Sequence, residues 1–239
     1  VVVNTVLDVE DGDTTSIANL ISTPGADNVI SLREAITAAN NTSGADTVTF
    51  DANVFSGNAN SLIRLGGTEL VVTESLTIDG SSGTNVVITG DAAMDDRLVT
   101  GTFITDVDAS LQNDPNSLND NSRVINFDTS RGSLTLSALT VTGGRVTSEV
   151  GGGIRLDGDG ALTLDQSTVS GNSSTGSAGG IYAESGSVTL TSSTVSGNRS
   201  GSDGGGSLRV DRERGWRADP GGNAPGALPW HADAAATAA

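Results

Sequence analysis

The sequence predicts an all-β solenoid, a coil of short parallel strands in which each turn buries its apolar face only against its neighbours. Two observations carry this. Residues 132–144 (GSLTLSALTVTGG), 160–172 (GALTLDQSTVSGN) and 186–198 (GSVTLTSSTVSGN) are near-copies, offset by 28 and then 26 residues. A period of about 20–50 residues marks a repeat architecture. A second element recurs between them, GGGI at 151–154 and AGGI at 178–181. The strands inside each unit are short and alternate apolar with polar residues, so the unit is β-structure.

Composition agrees with a thin core. Hydrophobic residues make up 35% and aromatic residues 3% of the 239-residue chain, too little to fill a globular interior but enough for a few Leu, Ile or Val per turn. The 32 glycines suit a fold with several tight corners per repeat. The net charge is −17, and all 12 basic residues are Arg. Nucleic-acid binding needs basic clusters, so that class is set aside, as is an anionic membrane surface. With no Cys there is neither a disulfide framework nor thiol chemistry. No apolar run is long enough to span a membrane as a helix. The opening VVVNTVLDVEDGD lacks a basic, then apolar, leader, so the chain reads as a processed form, a fragment or the product of a misplaced start.

Residues 1–45 form an N-terminal cap. Within it, 31–40 is the one convincing helix. Ser31 and Glu34 have the spacing of a capping box, and Leu32, Ala35, Ile36 and Ala39 fall on one apolar stripe. A solenoid end exposes unpaired strands, and a short amphipathic helix is a natural lid for it. The pattern is then β over 46–206, which predicts five to seven coils, interrupted by an acidic, Asn-rich insertion at about 91–121. Leu134, Leu136, Leu162, Leu164, Val188 and Leu190 point inward, Val141, Val169 and Val195 form a second column, and Ile154 and Ile181 a third. Three columns imply three strands per coil, with coils about 4.8 Å apart. Asn172 and Asn198 share a column in which stacked amides bond along the axis, a structural role. The tail, 207–239, departs from the pattern. It carries both Trp, the only His and three of the five Pro, and the repeat phase is lost at Ser207. The expectation is a disordered or frame-shifted segment that adds nothing to the fold.

The run ISLREAITAANNTSGADTVTFD at 30–51 resembles the CSLREA domain, a module of secreted β-helix proteins, with Ile30 in place of the family's leading Cys. The GGGI…LTLxxSTxSGN repeats are similar to the units that follow such modules and, more loosely, to the GGA(I/L) repeats of polymorphic outer-membrane proteins. The resemblance covers about residues 1–206. It implies a right-handed, single-stranded parallel β-helix of the pectate-lyase-like superfamily, extracellular or at the cell surface, and it transfers no catalytic residues.

Chemistry is sparse in the sequence. The only His, His231, lies in the tail, so a Ser-His-Asp site is not expected. Arg155 and Tyr182, outward at equivalent positions of successive repeats, are the candidates for carbohydrate binding. Asp157, Asp159 and Asp165 could supply a hydrolase pair, although DGDG is common turn sequence. Ca²⁺ could be held by Asp106, Asp108, Asp114 and Asp120, or by Asp8, Asp11 and Asp13, since hard cations want dense oxygen donors. The primary functional expectation is a non-enzymatic, exported adhesion or binding surface, with polysaccharide or a host or cell-surface protein as partner. A polysaccharide lyase or glycoside hydrolase and a structural spacer are the alternatives. The positions of Arg123, Arg145 and Arg155 relative to the insertion bear most on that choice.

Overall fold

The computed structural model describes residues 1–57, 61–91, 97–99, 102–104, 121–129, 131–201, 208–210, 230–232 and 236–238. They form a right-handed parallel β-solenoid with three main walls and a short fourth parallel stack, Arg145–Val146, Ser173–Ser174 and Arg199–Ser200, between walls two and three. Wall one stacks Val2–Val3, Asp46–Phe50, Leu76–Asp79, Ser133–Ser137, Ala161–Asp165 and Ser187–Thr191 in parallel. Wall two stacks Leu62–Arg64, Val86–Thr89, Leu139–Thr142, Thr168–Ser170 and Ser193–Ser196. Wall three stacks Leu70–Val72, Ile125–Asp128, Ile154–Asp157, Ile181–Ala183 and Leu208–Val210. The solenoid makes about four turns, fewer than the sequence suggests. Between Asp91 and Asn121, no described strand joins a wall. The described strands there, Arg97–Val99 and Thr102–Ile104, pair only with each other, and an antiparallel bridge joins Asp91 to Asn121 at the neck of the insertion.

Register explains why so few apolar residues suffice. Leu76, Leu134, Leu162 and Val188 align across wall one, as do Ile78, Leu136, Leu164 and Leu190. Ile63, Ile88, Val141, Val169 and Val195 align across wall two, and Ile125, Ile154 and Ile181 across wall three. All of these side chains are buried. Each therefore meets a like residue above and below, so one or two per wall per coil close the interior. A parallel sheet needs its partner coil at every residue, which makes repetition in sequence a condition of packing.

Corners interrupt this pairing and leave backbone groups needing partners. Walls one and two meet at a single left-handed residue, Ala138 (φ 53), Gln166 (φ 49) or Ser192 (φ 48) in successive coils. Because none is Gly, sequence inspection does not reveal that corner. The residue that follows is inward, and in two coils it is a buried serine. The Ser167 hydroxyl oxygen accepts from the Leu139 N–H at 3.2 Å, and that of Ser193 accepts from the Ser167 N–H at 3.1 Å. After wall two, Asn172 plays the corresponding part. Its Oδ1 accepts from the Gly144 N–H at 2.9 Å, and its Nδ2 donates to Asn198 Oδ1 at 2.9 Å and to the carbonyls of Val141 and Ser170. The expected Asn column is thus a hydrogen-bonded ladder. The GGG run has a different cause. A Cβ on Gly152 would overlap the Ser173 carbonyl oxygen of the next coil, so only Gly lets the backbones approach there.

The N-terminal end is closed by two helices, α1 (Ile17–Ser22) and α2 (Leu32–Asn40). Ser31 and Glu34 form the expected capping box, and Leu32, Ala35, Ile36 and Ala39 are buried. Glu34 is 1% exposed. Its Oε1 accepts from the N–H groups of Asp11 and Gly12, and its Oε2 from that of Ser31. Arg33 donates to both carboxylate oxygens of Asp8 and to the carbonyls of Thr68 and Glu69. Asn40 donates to the Val71 carbonyl and accepts from the Thr73 N–H, so its amide completes the first strand of wall three. At the other end, Trp230–Ala232 and Ala236–Ala238 run antiparallel to Ser193–Ser196 and Ser187–Thr191. Leu208–Val210 continues wall three, and the remaining residues of 207–239, on which the disordered-tail expectation mostly falls, lie outside the described residues. No helix among the described residues is long and apolar enough to cross a membrane.

Replacing Asn172 with Ala leaves the Gly144 N–H and two carbonyls without their partner, and should cost about 2–4 kcal/mol in urea unfolding. A loss below about 0.5 kcal/mol would show that the ladder is incidental. Leu32→Asp should lower the melting temperature markedly by placing a charge under α2. A variant as stable as the parent would refute the role of that helix as a lid.

Candidate functional site

A cleft of about 580 Å³ opens where walls two and three meet. Three successive coils build it. Glu69 comes from the corner before Leu70–Val72, Arg123 from the corner before Ile125–Asp128, Arg145 from the short strand Arg145–Val146, and Glu149 from the turn before Ile154–Asp157. Arg155, from that last strand, completes the lining. The insertion leaves and rejoins the solenoid at Asp91 and Asn121, and Asn121 and Ser122 also line the cleft. The three arginines singled out by sequence thus converge beside the neck of the insertion.

Arg123 forms the floor and is only 3% exposed. Its guanidinium pairs with Glu69 and Glu149, one from the coil on each side. Its Nε donates to the Gly151 carbonyl at 3.0 Å, and its Nη2 to that of Val150 at 3.2 Å. Asn126 Nδ2 holds the second oxygen of Glu69 at 3.0 Å. A buried cation is tolerable only when paired and hydrogen-bonded, and here two carboxylates and two carbonyls meet that need. Glu69 and Glu149 carry no periodic signature, and sequence reasoning did not find them. Only the coil geometry brings positions 69, 123 and 149 together.

Arg155 stands on the exterior of wall three, with its side chain 30% exposed and Nη2 at 2.8 Å from Asp157 Oδ2. Its register partners are Asn126 on one side and Tyr182 on the other. The two residues singled out for carbohydrate binding are therefore lateral neighbours at the edge of the cleft. Arg155 Nε and Asn126 Oδ1, on adjacent coils, have no hydrogen-bond partner among the described residues.

Of the other sequence candidates, Asp157 sits at the edge of the cleft as the partner of Arg155, whereas Asp165 closes a strand of wall one, away from it. Asp106, Asp108, Asp114 and Asp120 lie outside the described residues. The proposed Asp8, Asp11 and Asp13 calcium set is corrected by the structure, because each carboxylate has its own local task. Asp8 holds Arg33 and the Gly66 N–H, Asp11 accepts from the Ala26 N–H, and Asp13 accepts from Thr15. No group of three or more potential metal ligands occurs among the described residues. The Thr15 hydroxyl, and then its N–H, hold the Asp13 carboxyl below the ordinary Asp range.

Thr15→Val should raise the Asp13 pKa toward the ordinary range in an NMR titration; an unchanged value would remove the hydroxyl as the main cause. Arg123→Met leaves two carboxylates facing each other and should destabilise the fold by about 2–3 kcal/mol, given that both are partly exposed. The triple variant that also carries Glu69→Gln and Glu149→Gln should recover most of that loss in denaturant unfolding. Failure to recover would mean that Arg123 acts through packing rather than charge. Comparison with protein-family models, with curated proteins and with solved structures finds no match, so the cleft is read from this chain's own residues.

Proposed function

We propose that the protein is an exported or cell-surface β-helix that presents an elongated wall for adhesion, with extracellular polysaccharide as its ligand. The single observation behind this reading is the placement of Arg155 beside Tyr182 on a rigid wall at the edge of the arginine-lined cleft. A phenol ring stacks on the apolar face of a sugar, and a guanidinium donates to its hydroxyls. A parallel sheet holds both at fixed spacing, so little ordering entropy is lost on binding. The CSLREA-like run at 30–51 and the repeated Ser/Thr-rich coils support an extracellular setting. Binding is favoured over hydrolysis because both glutamates of the cleft already hold Arg123. A glycosidase needs one such carboxyl to protonate a leaving group and another to act on the sugar.

The test is retention of the purified protein by immobilised extracellular polysaccharides. Tyr182→Ala should weaken binding about tenfold while leaving the melting temperature near that of the parent. Release of new reducing ends or unsaturated sugars from a bound polysaccharide would replace this reading with the enzymatic one. Equal retention of parent and Tyr182→Ala would remove wall three as the binding surface.

A further inference from the structure

We infer that the C-terminal edge of walls one and two is a surface for strand addition, and that residues 230–238 occupy it as a cap which keeps a second copy of this chain from pairing there.

The last parallel strands of these walls are Ser187–Thr191 and Ser193–Ser196. A strand at the end of a stack offers a row of N–H and carbonyl groups to any extended chain that meets it, and exposed edges are commonly guarded by charged side chains. This edge has no such guard. Neither strand carries a charged residue, in a chain of net charge −17, and Thr191 stands where the preceding coil has Asp165. The tail takes the place of the guard. Ala236–Ala238 pairs with the first strand, Val188 against Ala238, Thr189 against Thr237 and Leu190 against Ala236. Trp230–Ala232 pairs with the second, from Ser193 against Ala232 to Val195 against Trp230. Both run antiparallel, so the tail passes the Ser192 corner in the opposite sense and satisfies the edge without continuing the coil.

An antiparallel strand is also what a second copy would bring. The N-terminal end is closed by α1 and α2, and wall one begins there with only the two-residue Val2–Val3, so head-to-tail stacking meets no long strand. Pairing at the C-terminal end is then edge against the same edge, and a two-fold axis between copies sets like strands antiparallel. The tail and a second copy therefore compete for the same backbone groups in the same direction. The tail is tethered through residues 211–229 and acts at high local concentration. Its hold on wall one is nevertheless short, three register pairs where Ala161–Asp165 and Ser187–Thr191 share five. Release of the tail opens the edge.

The experiment follows the full chain by sedimentation velocity over a concentration series. The parent should be monomeric throughout. Alternate residues of an antiparallel strand bond the partner, so Ala236→Pro together with Thr237→Pro removes one donor that faces the edge. This variant should keep the parent's β signal in circular dichroism, while its mass rises with concentration toward twice the parent's. The peptide 229–239 in excess should return it to monomer. A dimeric parent or a variant monomeric at every concentration would overturn the inference. So would association that appears only with loss of the β signal, since unfolded chains would then be pairing, or association that the peptide leaves unchanged. The chain has no Cys, so Thr189→Cys with Thr237→Cys tests the cap separately. Register partners lie within disulfide reach, and oxidation should close a bond inside one chain and leave a monomer. Thiols that stay free, or that bridge two chains instead, would place 236–238 elsewhere and overturn the inference as well.

Discussion

Parallel pairing in register between successive coils is the constraint on which the rest of this structure depends. A strand in a parallel sheet has no internal partner, so every N–H and carbonyl along a wall depends on the coil above or below. A one-residue slip would turn a whole column of Leu or Val outward. Columns such as Leu76–Leu134–Leu162–Val188 exist because the register permits no other arrangement. The same constraint explains the modest hydrophobic content. A column shares each buried surface with two neighbours, so a small interior is closed by repetition rather than by bulk.

The corners are where that constraint is hardest to meet, and polar side chains resolve it. Ser167, Ser193, Asn172 and Asn198 are inward residues that restore the bonds which the turning backbone gives up. Buried polar groups stabilise only when every partner is present. That requirement couples the coils more strictly than apolar contact does, because a displaced amide loses partners in both neighbours. The ends follow the same logic. Glu34, Arg33 and Asn40 direct charged or amide groups at the backbone of segments 8–12 and 66–73, so the first coil meets side chains where it lacks a preceding coil.

The cleft arises from an interruption of the repeat. Where the insertion replaces part of a wall-two to wall-three connection, the regular corner gives way to Arg123 and its two glutamates. Three coils that elsewhere differ little contribute different residues here. A repeat scaffold supplies rigidity and spacing, and its irregular coil supplies chemical individuality. That division explains why the most informative charges of an acidic chain gather at the neck of the insertion.

The sequence alone determined the architecture. The 28- and 26-residue offsets, the alternation in each copy and the S-x-x-E run at the cap follow from local periodicity, which a linear reading detects. It also determined the Asn column and the inward Leu and Val residues, because identical phase in repeats means identical position in coils. What only the tertiary structure decided are features that depend on proximity between residues far apart in the chain. The left-handed corners at Ala138, Gln166 and Ser192 are invisible because no Gly marks them. The Glu69–Arg123–Glu149 floor joins three positions with no shared spacing. The local tasks of Asp8, Asp11 and Asp13 replaced an apparent cation cluster, since spacing in sequence says nothing of which backbone each carboxylate meets. The number of turns, about four, was settled in space as well.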